Sequence, residues 1–178
     1  MALRTLFFPA LAMAAVVLLS NWLVQYTINE WLTWGAFSYP LAFLVTDVCN
    51  RLLGARAARR VALVGFVFGL ASSALLAPMR IAAASGSAFL VSQLLDISVF
   101  NRLRQKSWWQ APFIGSCVAS VIDTAIFFNI AFGGTGENWL QLGAGDLSVK
   151  LAMAVLLLPA YRQLILKLGA MPAPASAA

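Results

Sequence analysis

The sequence predicts an all-α integral membrane protein: six transmembrane helices in one compact bundle over residues 1–170, followed by a disordered tail over 171–178. Three observations carry that prediction. Of 178 residues, 62% are hydrophobic and 10% charged, whereas a soluble domain carries roughly 25% charge. With a mean hydropathy of +0.86, the chain has more apolar surface than a soluble core can hide. Apolar runs long enough to cross ~30 Å of hydrocarbon, about 20 residues each, recur along it, and the charges sit mostly in the short gaps between them.

The first run, Leu6 to Val24, follows Arg4. Its small residues around Ala12 to Ala15 also suit a cleavable signal peptide, but the run continues to Val24 with no clear cleavage site, so a retained helix is predicted. The second run is Phe37 to Leu53, the third Val61 to Met79 and the fourth Ile81 to Phe100. Only Pro78, Met79 and Arg80 divide the third from the fourth. A tight hairpin is predicted there, because about 40 unbroken residues would be twice a bilayer. Pro112 to Phe132 and Leu147 to Leu168 complete the set. Gly65 and Gly69 form a GxxxG in the third helix, and Gly115 and Ala119 a small-xxx-small pair in the fifth; close helix packing is their ordinary meaning. The Pro/Ala-rich tail from Met171 has nothing to dock.

Lysine and arginine bias sets the orientation. With the N-terminus inside, the cytoplasmic segments hold Arg4; Arg56, Arg59 and Arg60; Arg102, Arg104 and Lys106; and Arg162 and Lys167. The opposite side holds Arg80 with Glu30, Glu137 and Asp146. Both termini are therefore predicted to be cytoplasmic. All six tryptophans, Trp22, Trp31, Trp34, Trp108, Trp109 and Trp139, fall at or beyond the ends of the runs, where rings at the lipid headgroup level belong.

Several function classes drop out. A net charge of +6 would suit nucleic acid only if the basic residues shared a solvated face, and here they match the cytoplasmic excess of a membrane protein. The absence of histidine removes imidazole metal sites, imidazole proton relays and Ser-His hydrolase arrangements. Cys49 and Cys117 lie inside apolar runs, read as buried thiols, and build neither a disulfide framework nor a zinc site. No Walker motif is found, nor any nucleophile and base pair. The chain is predicted to be no enzyme and to carry no cofactor or metal.

An ionisable group inside a span costs at least ~2.5 to 3.5 kcal/mol on insertion scales, so each one calls for a reason. Asp47 opens Asp47-Val48-Cys49-Asn50-Arg51, whose i,i+4 spacing lets Arg51 fold back onto the carboxylate as a structural ion pair. Asp96 lies about one turn from the cytoplasmic end of the fourth helix, with Phe89, Ser92, Gln93 and Phe100 on its face. Asp123, near the middle of the fifth helix, is farthest from water, with Ser116, Ser120 and Phe127 beside it. No basic residue lies in its own helix, so its partner must be another helix, a ligand or a proton. Lys150 begins the sixth run and either snorkels to the interface or reaches inward as counter-ion to an aspartate. Asp47 before Asn50-Arg51 and Asp96 before Asn101-Arg102 hint at a degenerate internal repeat.

The segments Tyr39-Pro-Leu-Ala-Phe-Leu-Val-Thr-Asp47-Val-Cys-Asn50-Arg51, Trp108-Trp109 and Ser120-Val-Ile-Asp123-Thr124-Ala-Ile-Phe127-Phe128 resemble the queuosine precursor transporter family, also called the VUT family. The likeness runs from Phe37 to about Phe132. It implies a six-helix bundle similar to the substrate-binding subunits of energy-coupling-factor transporters, set in the bacterial inner (plasma) membrane and importing deazaguanine precursors of the tRNA base queuosine. Members commonly have an arginine after the tryptophan that begins the fifth helix and a glutamine three residues before its aspartate. This chain has Gln110-Ala111 and Ser120 there.

The chemistry of the residues agrees. A guanine-like ring presents adjacent N–H donors, which a carboxylate accepts in pairs, and an oxygen suited to an amide or guanidinium. Asp123 and Asp96 supply the first, and Asn50, Gln93 or Asn101 the second, with Ser120 beside them. Phe89, Phe100, Phe127 and Phe128 offer rings for stacking. The expectation is an importer that binds a nucleobase at mid-membrane between the second, fourth and fifth helices. The alternative is the substrate-capturing subunit of an ATP-driven transporter. Its small-residue faces leave room for a second copy of the chain or an energising partner.

Overall fold

The computed structural model describes residues 3–23, 26–29, 32–136 and 139–169, with the backbone alone for 3–5, 27 and 33. The expectations attached to Glu30, Trp31, Glu137, the Arg4 side chain and the tail 171–178 lie outside the described residues. In order come α1 (Leu3–Leu23), β1 (Thr27–Asn29), β2 (Leu32–Thr33), α2 (Gly35–Ser38), α3 (Leu41–Leu53), α4 (Ala55–Leu76), α5 (Met79–Leu103), α6 (Gln110–Phe132), α7 (Trp139–Leu156) and α8 (Leu158–Lys167). The two short strands pair antiparallel, a small departure from an all-α chain.

Among the described residues, five segments are long and apolar enough to cross a bilayer: Leu6–Leu23, Ala55–Leu76, Met79–Leu103, Gln110–Phe132 and Trp139–Lys167. The second predicted run is not a continuous span. Pro40 has no N–H to donate to the carbonyl of Ala36, so the run divides into one turn, α2, and the 13-residue α3, roughly 20 Å long. That short helix is sheltered by its neighbours, with Phe43, Thr46, Asp47, Asn50 and Arg51 all buried. The last run departs as well. Helix α7 begins at Trp139, eight residues before Leu147, and breaks at Leu157, where Pro159 enters the first turn of α8 and cannot donate to Val155. Lys150 therefore lies two-thirds of the way along α7, not at its start.

The predicted hairpin forms between α4 and α5, with Ala77 extended at φ −134° and ψ 158°. A Cβ on Gly86 would meet Leu70 and Phe66 of α4 at 3.1 and 3.5 Å, a tight fit against the Leu70 methyl. The GxxxG serves α1 in the same way: a Cβ on Gly65 would meet Met13 Cγ at 2.6 Å, and one on Gly69 would meet Val17 at 3.0 Å. Met13, Val17, Ala58, Val61, Phe89 and Ile97 form the core of this three-helix contact. A second apolar cluster, Phe100, Ala111, Tyr161 and Ile165, joins α5, α6 and α8. The periphery stays apolar, with Phe8, Val67, Leu75 and Leu140 all exposed. In water such a surface would be a liability; in hydrocarbon it is the solvent-matched face.

The path of the chain gathers Arg51, Arg56, Arg59, Arg60, Arg102, Arg104, Lys106, Arg162 and Lys167 at one end of the bundle, called here the basic end. There Arg51 Nη1 donates to the Arg104 carbonyl at 2.9 Å and Arg104 Nη2 to the Arg51 carbonyl at 2.6 Å, a reciprocal tie between the C-termini of α3 and α5. At the other end Arg80 donates to the carbonyls of Ile130 and Gly133, capping α6 with a cation where its dipole is negative.

Candidate functional site

The centre of the site is α6. Its buried stripe runs Ser116, Ala119, Ser120, Asp123 and Thr124, small and polar at helical spacing, so neighbouring helices approach closely and reach these groups. Helix α7 supplies the partner: Lys150 Nζ donates to Asp123 Oδ2 at 2.7 Å and to Asp146 Oδ2 at 2.5 Å, and its residue is 5% exposed. Thr124 Oγ1 donates to the same Asp146 oxygen at 2.8 Å. The other oxygen of Asp123 accepts from Tyr39 Oη and Ser92 Oγ, each at 3.1 Å. Tyr39 also places its ring 5.4 Å from the ammonium. An isolated buried ammonium costs several kcal/mol; two carboxylates and a ring face remove that cost here. The inward reading of Lys150 is the correct one, and snorkelling is overturned.

A cavity of about 170 Å³ adjoins this cluster at the end opposite the basic residues, lined by Asp123, Asp146, Lys150, Tyr39, Phe127, Ala88 and Ser85 on one side and by Ser20, Asn21 and Ser73 on the other. A water needs about 10–15 Å³, so there is space for roughly a dozen, enough for a flat bicyclic ring. Asn21 fixes the far wall by donating to Ser72 Oγ at 2.6 Å and to Ser73 Oγ at 3.2 Å.

Of the predicted site residues, Asp123 and Phe127 line this cavity, and Phe89 packs edge-on against Tyr39 at 6.1 Å behind it. The others lie elsewhere. Asn50 Nδ2 donates to the Ile97 carbonyl at 3.1 Å, and Gln93 Oε1 accepts from Thr46 at 2.9 Å. Both are buried between α3 and α5 with Asp96. Ser120 lines a separate crevice of about 20 Å³ with Asp47 and Ser116. Phe100 is consumed by packing on Tyr161 at 6.3 Å, and Asn101 is exposed at the end of α5.

The structural ion pair of Asp47 with Arg51 does not form. The guanidinium instead donates from Nε to Tyr161 Oη at 3.1 Å and from Nη1 to the Arg104 carbonyl at 2.9 Å, and its Nη2 is left without a partner. The two Asn-Arg dipeptides also differ in surroundings: Asn50 is buried and bonded to α5, whereas Asn101 and Arg102 are exposed.

Sequence reasoning missed Tyr39 and Asp146. Reading the last run from Leu147 leaves Asp146 outside it, whereas α7 starts at Trp139. Once that stretch is helical, the i,i+4 spacing of Asp146 and Lys150 is the signal.

The chain is 35% identical to the "Queuosine precursor transporter" of Escherichia coli strain K12, covering 91% of this chain and 87% of that protein. It is 38% identical to the "Probable queuosine precursor transporter" of Haemophilus influenzae, over 72% of this chain and 66% of that one. Against the protein of the same name from Bacillus subtilis the identity is 27%, over 71% and 69%. No solved structure matches. With five apolar spans and these relatives, the protein is a multi-pass bacterial membrane protein. The profile described as "Putative vitamin uptake transporter" matches residues 33–78 and 71–164, and the chain belongs to that family.

Proposed function

We propose that this protein imports queuosine precursors, deazaguanine nucleobases, and binds the base in the cavity beside Asp123, Asp146 and Lys150. The observation that carries this reading is a charged cluster, buried Asp123 and Lys150 with half-buried Asp146, facing a ring-sized cavity; the names of the relatives at 35% and 38% identity supply the substrate class. The adjacent N–H donors of a guanine-like edge suit the carboxylates, and Tyr39 and Phe127 offer ring faces and edges to a flat heterocycle. With the basic end in the cytoplasm, the cavity faces outward and receives the base from outside.

Thermal-shift and uptake screens of purine and deazapurine bases test this reading. Stabilisation and uptake confined to deazaguanines support it, and equal response to adenine sinks it. Uptake by this chain alone, in a host without an energising ATPase, separates an importer from a capture subunit.

A further inference from the structure

We infer that Asp47 and Asp96 form a second functional site, a proton-carrying carboxyl pair in the basic half of the bundle, separate from the cavity. The two side chains face each other across the contact of α3 with α5. Asp47 is 2% exposed and Asp96 fully buried. Asp47 Oδ1 and both oxygens of Asp96 have no hydrogen-bond partner, and neither does Gln93 Nε2 nearby. Two ionised carboxylates have only acceptors to offer each other. One proton makes one of them a donor to the other and removes the like-charge repulsion, as in other buried carboxyl pairs.

The surrounding charges agree with one proton. On α3 itself the neighbour is Arg51, whose guanidinium is held by Tyr161 of α8 and the Arg104 carbonyl. Helix α6 presents Ser116 and Gly115, neither charged. Helix α7 presents Lys150, which shares the small crevice with Asp47 but is committed to Asp123 and Asp146. Arg56, Arg59 and Arg60 of α4 point to the exterior, and α1 adds no charge among its described side chains. Of these cations, Arg51 is thus the nearby one not committed to a carboxylate, and with one proton on the pair the two carboxyls and this guanidinium carry no net charge. A metal ion is a poor occupant: among the described residues no third carboxylate or thiol joins the pair to complete a ligand set. A proton needs none.

The pair is placed to communicate with the cavity. Asp96 lies one helical turn beyond Ser92, which holds Asp123, so both sites bear on the same contact of α5 with α6. Uptake of base is therefore coupled to proton entry through Asp47 and Asp96. This second step rests on the transporter reading; the protonation of the pair does not.

The experiment has two arms on the purified full-length protein. In the first, infrared difference spectra of wild type against Asp96→Asn and Asp47→Asn are recorded at neutral pH without ligand. A protonated-carboxyl C=O band present in wild type and lost in either variant is expected; its absence from wild type overturns the proposal whether or not the protein transports anything. In the second, proteoliposomes take up a radiolabelled deazaguanine base under an imposed pH gradient, a sodium gradient or none. A one-unit, outside-acid gradient should drive about tenfold accumulation for one proton per base. Both variants should lose that accumulation while retaining base-for-base exchange. Accumulation driven by sodium instead, or kept in both variants, overturns the coupling.

Discussion

Two buried acidic groups occupy the halves of this bundle, and they are built in opposite ways. At the cavity, Asp123 and Asp146 are drawn together by Lys150 and dressed by Tyr39, Ser92 and Thr124. In the basic half, Asp47 and Asp96 have neither a bonded cation nor a donor for three of their four oxygens. The first arrangement keeps fixed charge at a place a ligand can reach. The second suits a group whose charge comes and goes. Asp123 and Asp96, both buried, thus acquire different chemistry from whether a neighbouring helix supplies an ammonium.

That contrast is best broken by removing charges one at a time. The largest effect is expected for Lys150→Met, which strands two carboxylates in the bundle. Losing one partner of a buried pair costs about 3–5 kcal/mol, so folded yield should collapse, and adding Asp123→Asn should partly restore it. Unchanged yield in the single variant would show that the outer cluster is no more charged than the inner. Tyr39→Phe removes one hydrogen bond to Asp123, worth about 0.5–1.5 kcal/mol; base affinity should fall by up to about tenfold in a titration, with no change in folded yield. Asp96→Asn should leave the melting temperature unchanged or raised, because the amide offers Asp47 the donor it lacks. A clear fall would mean that the inner pair needs its negative charge. Asn101→Ala, at an exposed position, should alter neither stability nor uptake, with any shift inside about 0.5 kcal/mol.

Much of the fold was legible because lipid makes sequence explicit: five of the six apolar runs fall in segments long and apolar enough to span, four of them single helices, and the glycines of α4 pack α1 as GxxxG predicts. The failures have local causes. Pro40 shortened one run, and Pro159 broke another. Starting the last run at Leu147 left Asp146 outside it and Lys150 at a helix end, whereas α7 begins at Trp139. The site was legible only in its anchor. Asp123 was found from its depth, but its partners come from α3, α5 and α7, and no spacing within one helix reveals a contact between helices. Asp47 and Arg51 show the converse, since ideal i,i+4 spacing did not produce a pair once Tyr161 competed for the guanidinium.

The most direct test of the cavity reading is equilibrium binding of a deazaguanine base to purified wild type and to Asp123→Asn, with adenine as the control. The amide keeps the size of the carboxylate, and Lys150 keeps Asp146, so the variant should fold. Its affinity for the base should drop by about 30-fold to several thousandfold, the roughly 2–5 kcal/mol of a desolvated charge-assisted contact, while adenine binds neither protein. Wild-type affinity in a folded Asp123→Asn protein would contradict the account and leave Asp123 as the structural counter-ion of Lys150 alone.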